Sequence, residues 1–173
     1  DEAHLLRTRN INAPETGALP SPDAGPILQF ESSGRSTSRD LRLALSAYIS
    51  KQLTLYSNYT PAWALSDTDG ASTTPANSDD LAAEFGWAAT GRRHQFVAGG
   101  SAPLPGGVSV NASISIVSAA PFNITTGRDN NSDTLFTDRP AWASPGDPNA
   151  LVTRFGVFNP YPGPRHVIIP RNF

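Results

Sequence analysis

Val108, Val110, Ala112, Ile114 and Ile116 alternate with Ser109, Asn111, Ser113 and Ser115. A helix needs its apolar residues three and four apart, so this period of two dictates a β-strand with one apolar and one small polar face. The pattern recurs upstream. Leu41, Leu43, Leu45, Ala47 and Ile49 occupy alternate positions, and Leu53, Leu55, Ser57 and Tyr59 follow after the polar turn Ser50-Lys51-Gln52. Arg93 to Leu104 precedes Pro105-Gly106-Gly107, which leads into the Val108 arm. Two antiparallel hairpins are therefore expected, at about 36–65 and 92–119.

The remainder reads as loop. Gly (14) and Pro (16) are abundant among 173 residues. They crowd the segments 1–35 and 120–173, where Pro14, Pro20, Pro22, Pro121, Pro140, Pro160 and Pro170 oppose regular interior structure. One strand is expected within the first segment, Ile27 to Glu31, and a short Ala- and Leu-rich helix between Asp79 and Ala89. Long loops at 1–35, 66–91 and 120–173 thus stand at one end and short turns at the other, where connections usually run about four to six residues. Long strands with this asymmetry fit an all-β fold of antiparallel hairpins from a transmembrane β-barrel with long extracellular loops. A soluble sandwich shares the alternation but uses strands of about five or six residues.

Charge and composition exclude several functions. Lys+Arg 13 against Asp+Glu 15 gives a net charge of −2, with no basic stripe for nucleic acid. All but one of these cations are Arg, Lys51 being the exception. With no Cys, disulfide frameworks and thiolate sites are ruled out. The chain holds no Met and begins at Asp1, so a processed or excised piece is expected. No apolar run approaches the roughly 18 residues of a membrane-spanning helix.

Catalytic signals are lacking. His4, His94 and His166 lie apart, without Ser or carboxylate at catalytic spacing, and no G-x-S-x-G or H-E-x-x-H occurs. No enzymatic activity is expected. Asp129, Asn131 and Asp133 put three hard oxygen ligands at alternating positions, as a calcium loop does at its start. They are the candidate metal ligands, with calcium as the candidate ion, although Pro140 stands where an EF-hand has its bidentate Glu. A solvated Asx turn is the plainer reading of the same residues. Asp67-Thr68-Asp69-Gly70 is a weaker version.

Longer phrases narrow the choice. The segment from Pro121 to Pro140 (PFNITTGRDNNSDTLFTDRP) resembles one found in TonB-dependent receptor-like outer-membrane proteins of the Oar-like group, which carry a carboxypeptidase-regulatory-like domain. Arg9 to Pro14, Gln29 to Ser36, Asn58 to Thr60, Ser66 to Gly70, Arg93 to Phe96 and Ile169 to Phe173 resemble the same group in the same order. The chain departs from it at Ser132, where Gly is usual, and by Pro61 within a strand.

The resemblance implies the late part of a bacterial outer-membrane barrel for uptake or surface binding. Its partners would be the rest of the barrel, the lipid bilayer and, through parts outside this chain, TonB. Tyr59, Trp63, Trp87 and Phe96 are candidates for an interfacial aromatic girdle. The competing reading is a processed fragment serving as a structural or accessory subunit of a filament or membrane complex. Other protein chains would then cover its strand edges, since four strands cannot close a barrel.

Overall fold

The computed structural model describes residues 2–14, 18–50, 53–163 and 167–172. In chain order the strands are β1 (Glu2–Asn10), β2 (Leu28–Asp40), β3 (Leu43–Tyr48), β4 (Thr54–Ser66), β5 (Gly86–Trp87), β6 (His94–Pro103), β7 (Ser109–Val117), β8 (Ala141–Trp142), β9 (Leu151–Thr153) and β10 (Gly156–Asn159). Every described pairing is antiparallel. The chain divides into two compact units.

One unit holds residues Ser38–Ala64 and Thr90–Ala120. Its register sorts the side chains into two faces. Leu45 pairs with Ser57, which pairs with Ala98, which pairs with Ile114, so these four share a face. The same parity gathers Leu43, Ala47, Leu55, Tyr59, Phe96, Ala102, Val110, Ala112 and Ile116 beside them. The opposite face carries Ser46, Thr54, Tyr56, Asn58, Gln95, Ser101, Asn111, Ser113 and Ser115, with Ala44, Tyr48, Val97 and Val117 among them. Thr54 and Ser101 share a 2.8 Å hydrogen bond across it.

The apolar face is open. Leu43, Leu45, Leu55, Val110, Ile114 and Ile116 are all exposed, as are Leu41, Ile49 and Val108 at the strand ends. β3 and β7 each lack a second strand neighbour among the described residues, so the sheet is not closed. At the tip of the second hairpin, Leu104 N–H donates to the Val108 carbonyl, and Gly106 and Gly107 take φ of 85° and 80°. Those angles suit residues without a Cβ. In the first hairpin Ile49 N–H donates to the Leu53 carbonyl. The expected turn residues Lys51 and Gln52 lie outside the described residues.

The strand expected at 36–50 is interrupted. β2 ends at Asp40 and β3 begins at Leu43. The cause is across the ladder: Leu41 N–H donates to the Pro61 carbonyl, and Leu43 pairs with Tyr59. Pro61 has no N–H to return the bond, so the ladder lapses at Leu41 and Arg42.

The other unit holds Asp1–Thr37, Leu65–Ala89 and Pro121–Phe173. It corrects the expectation that 1–35 and 120–173 are loops. β1 pairs with the start of β2 from Asn10↔Leu28 to Glu2↔Thr37, with a bulge between Leu5 and Arg7. β8, β10 and β9 make a small sheet in the Pro-rich tail. The expected helix at 79–89 is a single 3-10 turn, Leu81–Glu84, whose Asp80 carboxylate accepts from Ala83 N–H. Phe85 is extended and Gly86 enters β5, which ends the turn.

Candidate functional site

The second unit buries polar groups. Its largest fully buried side chains include Arg139, Asn10, Asn12, Asn172 and Asp133, with Ile169 as the apolar exception. Such groups are stable inside only when hydrogen-bonded or charge-paired. Three buried arginines organise them.

Arg139 Nη1 lies 2.8 Å from Glu84 Oε2, its Nε donates to the Ile169 carbonyl at 3.0 Å, and its Nη2 to the Ala83 carbonyl at 3.1 Å. Arg171 Nη1 meets Asp69 Oδ2 at 2.9 Å, while Nε donates to the Glu84 carbonyl and Nη2 to that of Ser66. Burial lowers the Arg171 pKa, and Asp69 and Glu84 oppose that shift. Arg7 Nη2 lies 2.7 Å from Asp67 Oδ2 and donates to the Ser33 carbonyl at 3.1 Å. Three carboxylates therefore balance three guanidiniums. Gly86 makes the arrangement possible, because a Cβ there would collide with the Arg171 carbonyl.

Asparagines add further buried links. Asn12 Nδ2 donates to the carbonyls of Ser21, Ala24 and Gly25. Asn10 Nδ2 donates to the Asp133 carbonyl at 2.7 Å, across 123 residues of chain. Asn172 Nδ2 reaches Asp69 and the Trp87 carbonyl.

The candidate calcium ligands are engaged internally. Asp129 Oδ1 and Oδ2 accept from the N–H groups of Asp133 and Thr134 at 3.1 and 2.9 Å. Asn131 Oδ1 accepts from Asp133 N–H, and its Nδ2 donates to the Ala76 carbonyl. Asp133 Oδ1 accepts from Leu135 N–H at 2.8 Å. Among the described residues no group of three His, Asp or Glu side chains is placed to hold a metal ion. Ser132 and Thr134 take φ of 63° and 66°, so the turn forms with Ser in the left-handed position.

Burial raises the Asp133 pKa. Burial, with the charges of Asp133 and Asp129, pushes Asp138 up to about 6. Asp138 Oδ2 accepts from Asn130 N–H at 2.6 Å.

The aromatic candidates separate. Tyr59 OH lies 2.8 Å from His94 Nδ1, and the two rings stack at 6.1 Å. Tyr59 shares the apolar face with Phe96 and, by strand parity, with Trp63. Trp87 lies in β5 of the other unit and accepts from Asn172 through its carbonyl. His166 lies outside the described residues. Nothing in the sequence reading marked Arg7, Glu84, Arg139 or Arg171 as site residues. The signals for the arginines were the near-total use of Arg among the cations and the place of Arg139 and Arg171 in the phrases that carry the resemblance.

A sheet with one open apolar face and one polar face is the wall of a membrane barrel in miniature. A family model described as an outer membrane beta barrel domain matches residues 1–166. The chain belongs to that family. Membership places this barrel domain in an outer membrane, in a family that is generally non-catalytic. Neither curated proteins nor solved structures gave a significant match to the barrel domain.

Proposed function

We propose that the chain is a late barrel portion of a bacterial TonB-dependent receptor-like protein of the Oar-like group, serving uptake or surface binding. The two-faced sheet of β3, β4, β6 and β7 supports the barrel, and the Pro121–Pro140 phrase supports the Oar-like group. The sheet's apolar face meets lipid, its polar face meets the barrel interior, and Tyr59, Trp63 and Phe96 sit at the membrane interface. The turns at Ser50–Gln52 and Pro105–Gly107 are then periplasmic, and the segments 1–35, 66–91 and 120–173 extracellular.

The chain contains no Cys, so within it an introduced cysteine is the one labelling position. A membrane-impermeant maleimide on intact cells should label Asp147→Cys at once and Pro105→Cys only after permeabilisation. Labelling of both on intact cells, or the reverse order, overturns the topology. For the receptor activity, ligand uptake by the full-length protein should cease in cells lacking TonB. Unchanged uptake would refute that assignment.

Calcium at Asp129, Asn131 and Asp133 is a separate proposal, supported only by the sequence pattern. The ion must displace the backbone donors now on Asp129. Calcium titration of the full-length protein should give a site that Asp129→Ala removes, and equal affinity in both would end the idea.

A further inference from the structure

Three buried arginines line one cavity of about 260 Å³, together with Asp67, Asp69 and Glu84. They are not equally served. Arg139 and Arg171 place all three of their guanidinium nitrogens on acceptors of this chain. Arg7 places only Nη2, and its Nε and Nη1 are buried without a partner. Arg7 itself is only 3% exposed. A buried guanidinium normally has its donors satisfied, since unmade bonds to a charged group are the costly ones.

We propose that this cavity binds a small oxyanion-bearing molecule, a carboxylate or a phosphate, whose oxygens take up the free donors of Arg7. The missing groups are acceptors and belong to a cation, which favours a charge-assisted bond to an anionic oxygen over one to a neutral hydroxyl. The cavity has room for several waters or one small organic acid, at about 30 Å³ per water. Thr73, Thr74, Thr125 and Thr137 supply hydroxyl-bearing walls. Because both nitrogens are covered, the Arg7 side chain must shift toward the ligand on binding.

The test is calorimetric titration of the full-length protein in detergent with inorganic phosphate, with succinate and with glucose. One or both anions should saturate a single site, and glucose should not. Phosphate alone or succinate alone tells which oxyanion the site takes. Arg7→Lys keeps the charge and loses the fork, and should weaken anion binding at least tenfold. If that variant fails to fold, Thr74→Leu, which adds bulk to the cavity wall, should weaken it instead. No saturable anion binding, meaning that water alone fills the space, overturns the proposal. So does glucose binding as tightly as the anions, or anion affinity unchanged in the folded variants.

Discussion

Arg139 and Glu84 lie 55 residues apart in the chain and meet at 2.8 Å, with side chains only 2% and 3% exposed. Glu84 also accepts from Ala76 N–H through its other oxygen. The pair thus ties the 3-10 turn, the loop before it and the end of the Pro121–Pro140 phrase into one buried joint. Removing one partner strands the other charge out of water. Glu84→Ala is expected to destabilise its unit by about 3–5 kcal/mol. Replacing both residues, as in Glu84→Met with Arg139→Met, should recover much of that loss. Urea unfolding of the two variants, followed by proteolysis of the 121–173 segment, measures the difference.

Ser132 holds a left-handed backbone at φ 63° that glycine adopts without penalty. Ser132→Gly should therefore stabilise the turn by about 1 kcal/mol, less whatever chain entropy glycine restores to the unfolded state. Ser132→Val, with a branched side chain, should move the unfolding midpoint the other way.

Neighbouring positions on β7 should respond oppositely to charge. Ile114 lies on the apolar face and Ser113 on the polar one. Ile114→Arg is expected to cost about 2–4 kcal/mol of folding free energy in lipid vesicles, and Ser113→Arg about 1 kcal/mol or less. Equal costs would mean that the two faces meet the same surroundings.

Asp138 makes stability depend on pH. Its folded pKa of about 6 stands above the ordinary 3.8. The native chain therefore binds this proton more tightly than the unfolded chain does. Stability should fall as pH rises from about 4 to about 6, and acidification over that window should restore it. The contribution is on the order of 2 kcal/mol. Asp138→Asn should flatten the curve there, as unfolding midpoints measured at pH 4, 5, 6 and 7 will show.

The hairpins were legible because the two faces of their strands differ in polarity, most plainly along Val108 to Ile116. Val108 to Ile116 reads as a strand from the sequence alone, and the structure forms it over Ser109–Val117. β1 was not legible, for the opposite physical reason. Its buried residues, among those described, are Arg7, Thr8 and Asn10, so a search for apolar alternation passes over it. The strands β8, β9 and β10, at two to four residues, are too short to show any period.

The break at Leu41 and Arg42 follows from Pro61, which the sequence displays. Its effect depends on which strand lies across from it, and that is a tertiary fact. The phrases that carry the family resemblance proved to hold Asn10, Asn12, Asp69, Arg139 and Arg171. Their buried partners account for their place in the unit.

The contacts of Arg171 also set an order of events. It joins Ser66 across 105 residues and Asp69 across 102, and Asn10 meets Asp133 across 123. Contacts of such separation form slowly, because the intervening chain must be drawn in before any of them is rewarded. Until residue 171 arrives, Asp69 and the Glu84 carbonyl have no guanidinium to meet, and the half-assembled unit has every reason to keep them in water. The hairpins, closed by turns of a few residues, have no such wait. During maturation the sheet should therefore be in place while the polar unit is still open, which makes that unit the part most dependent on folding helpers and most exposed to proteases.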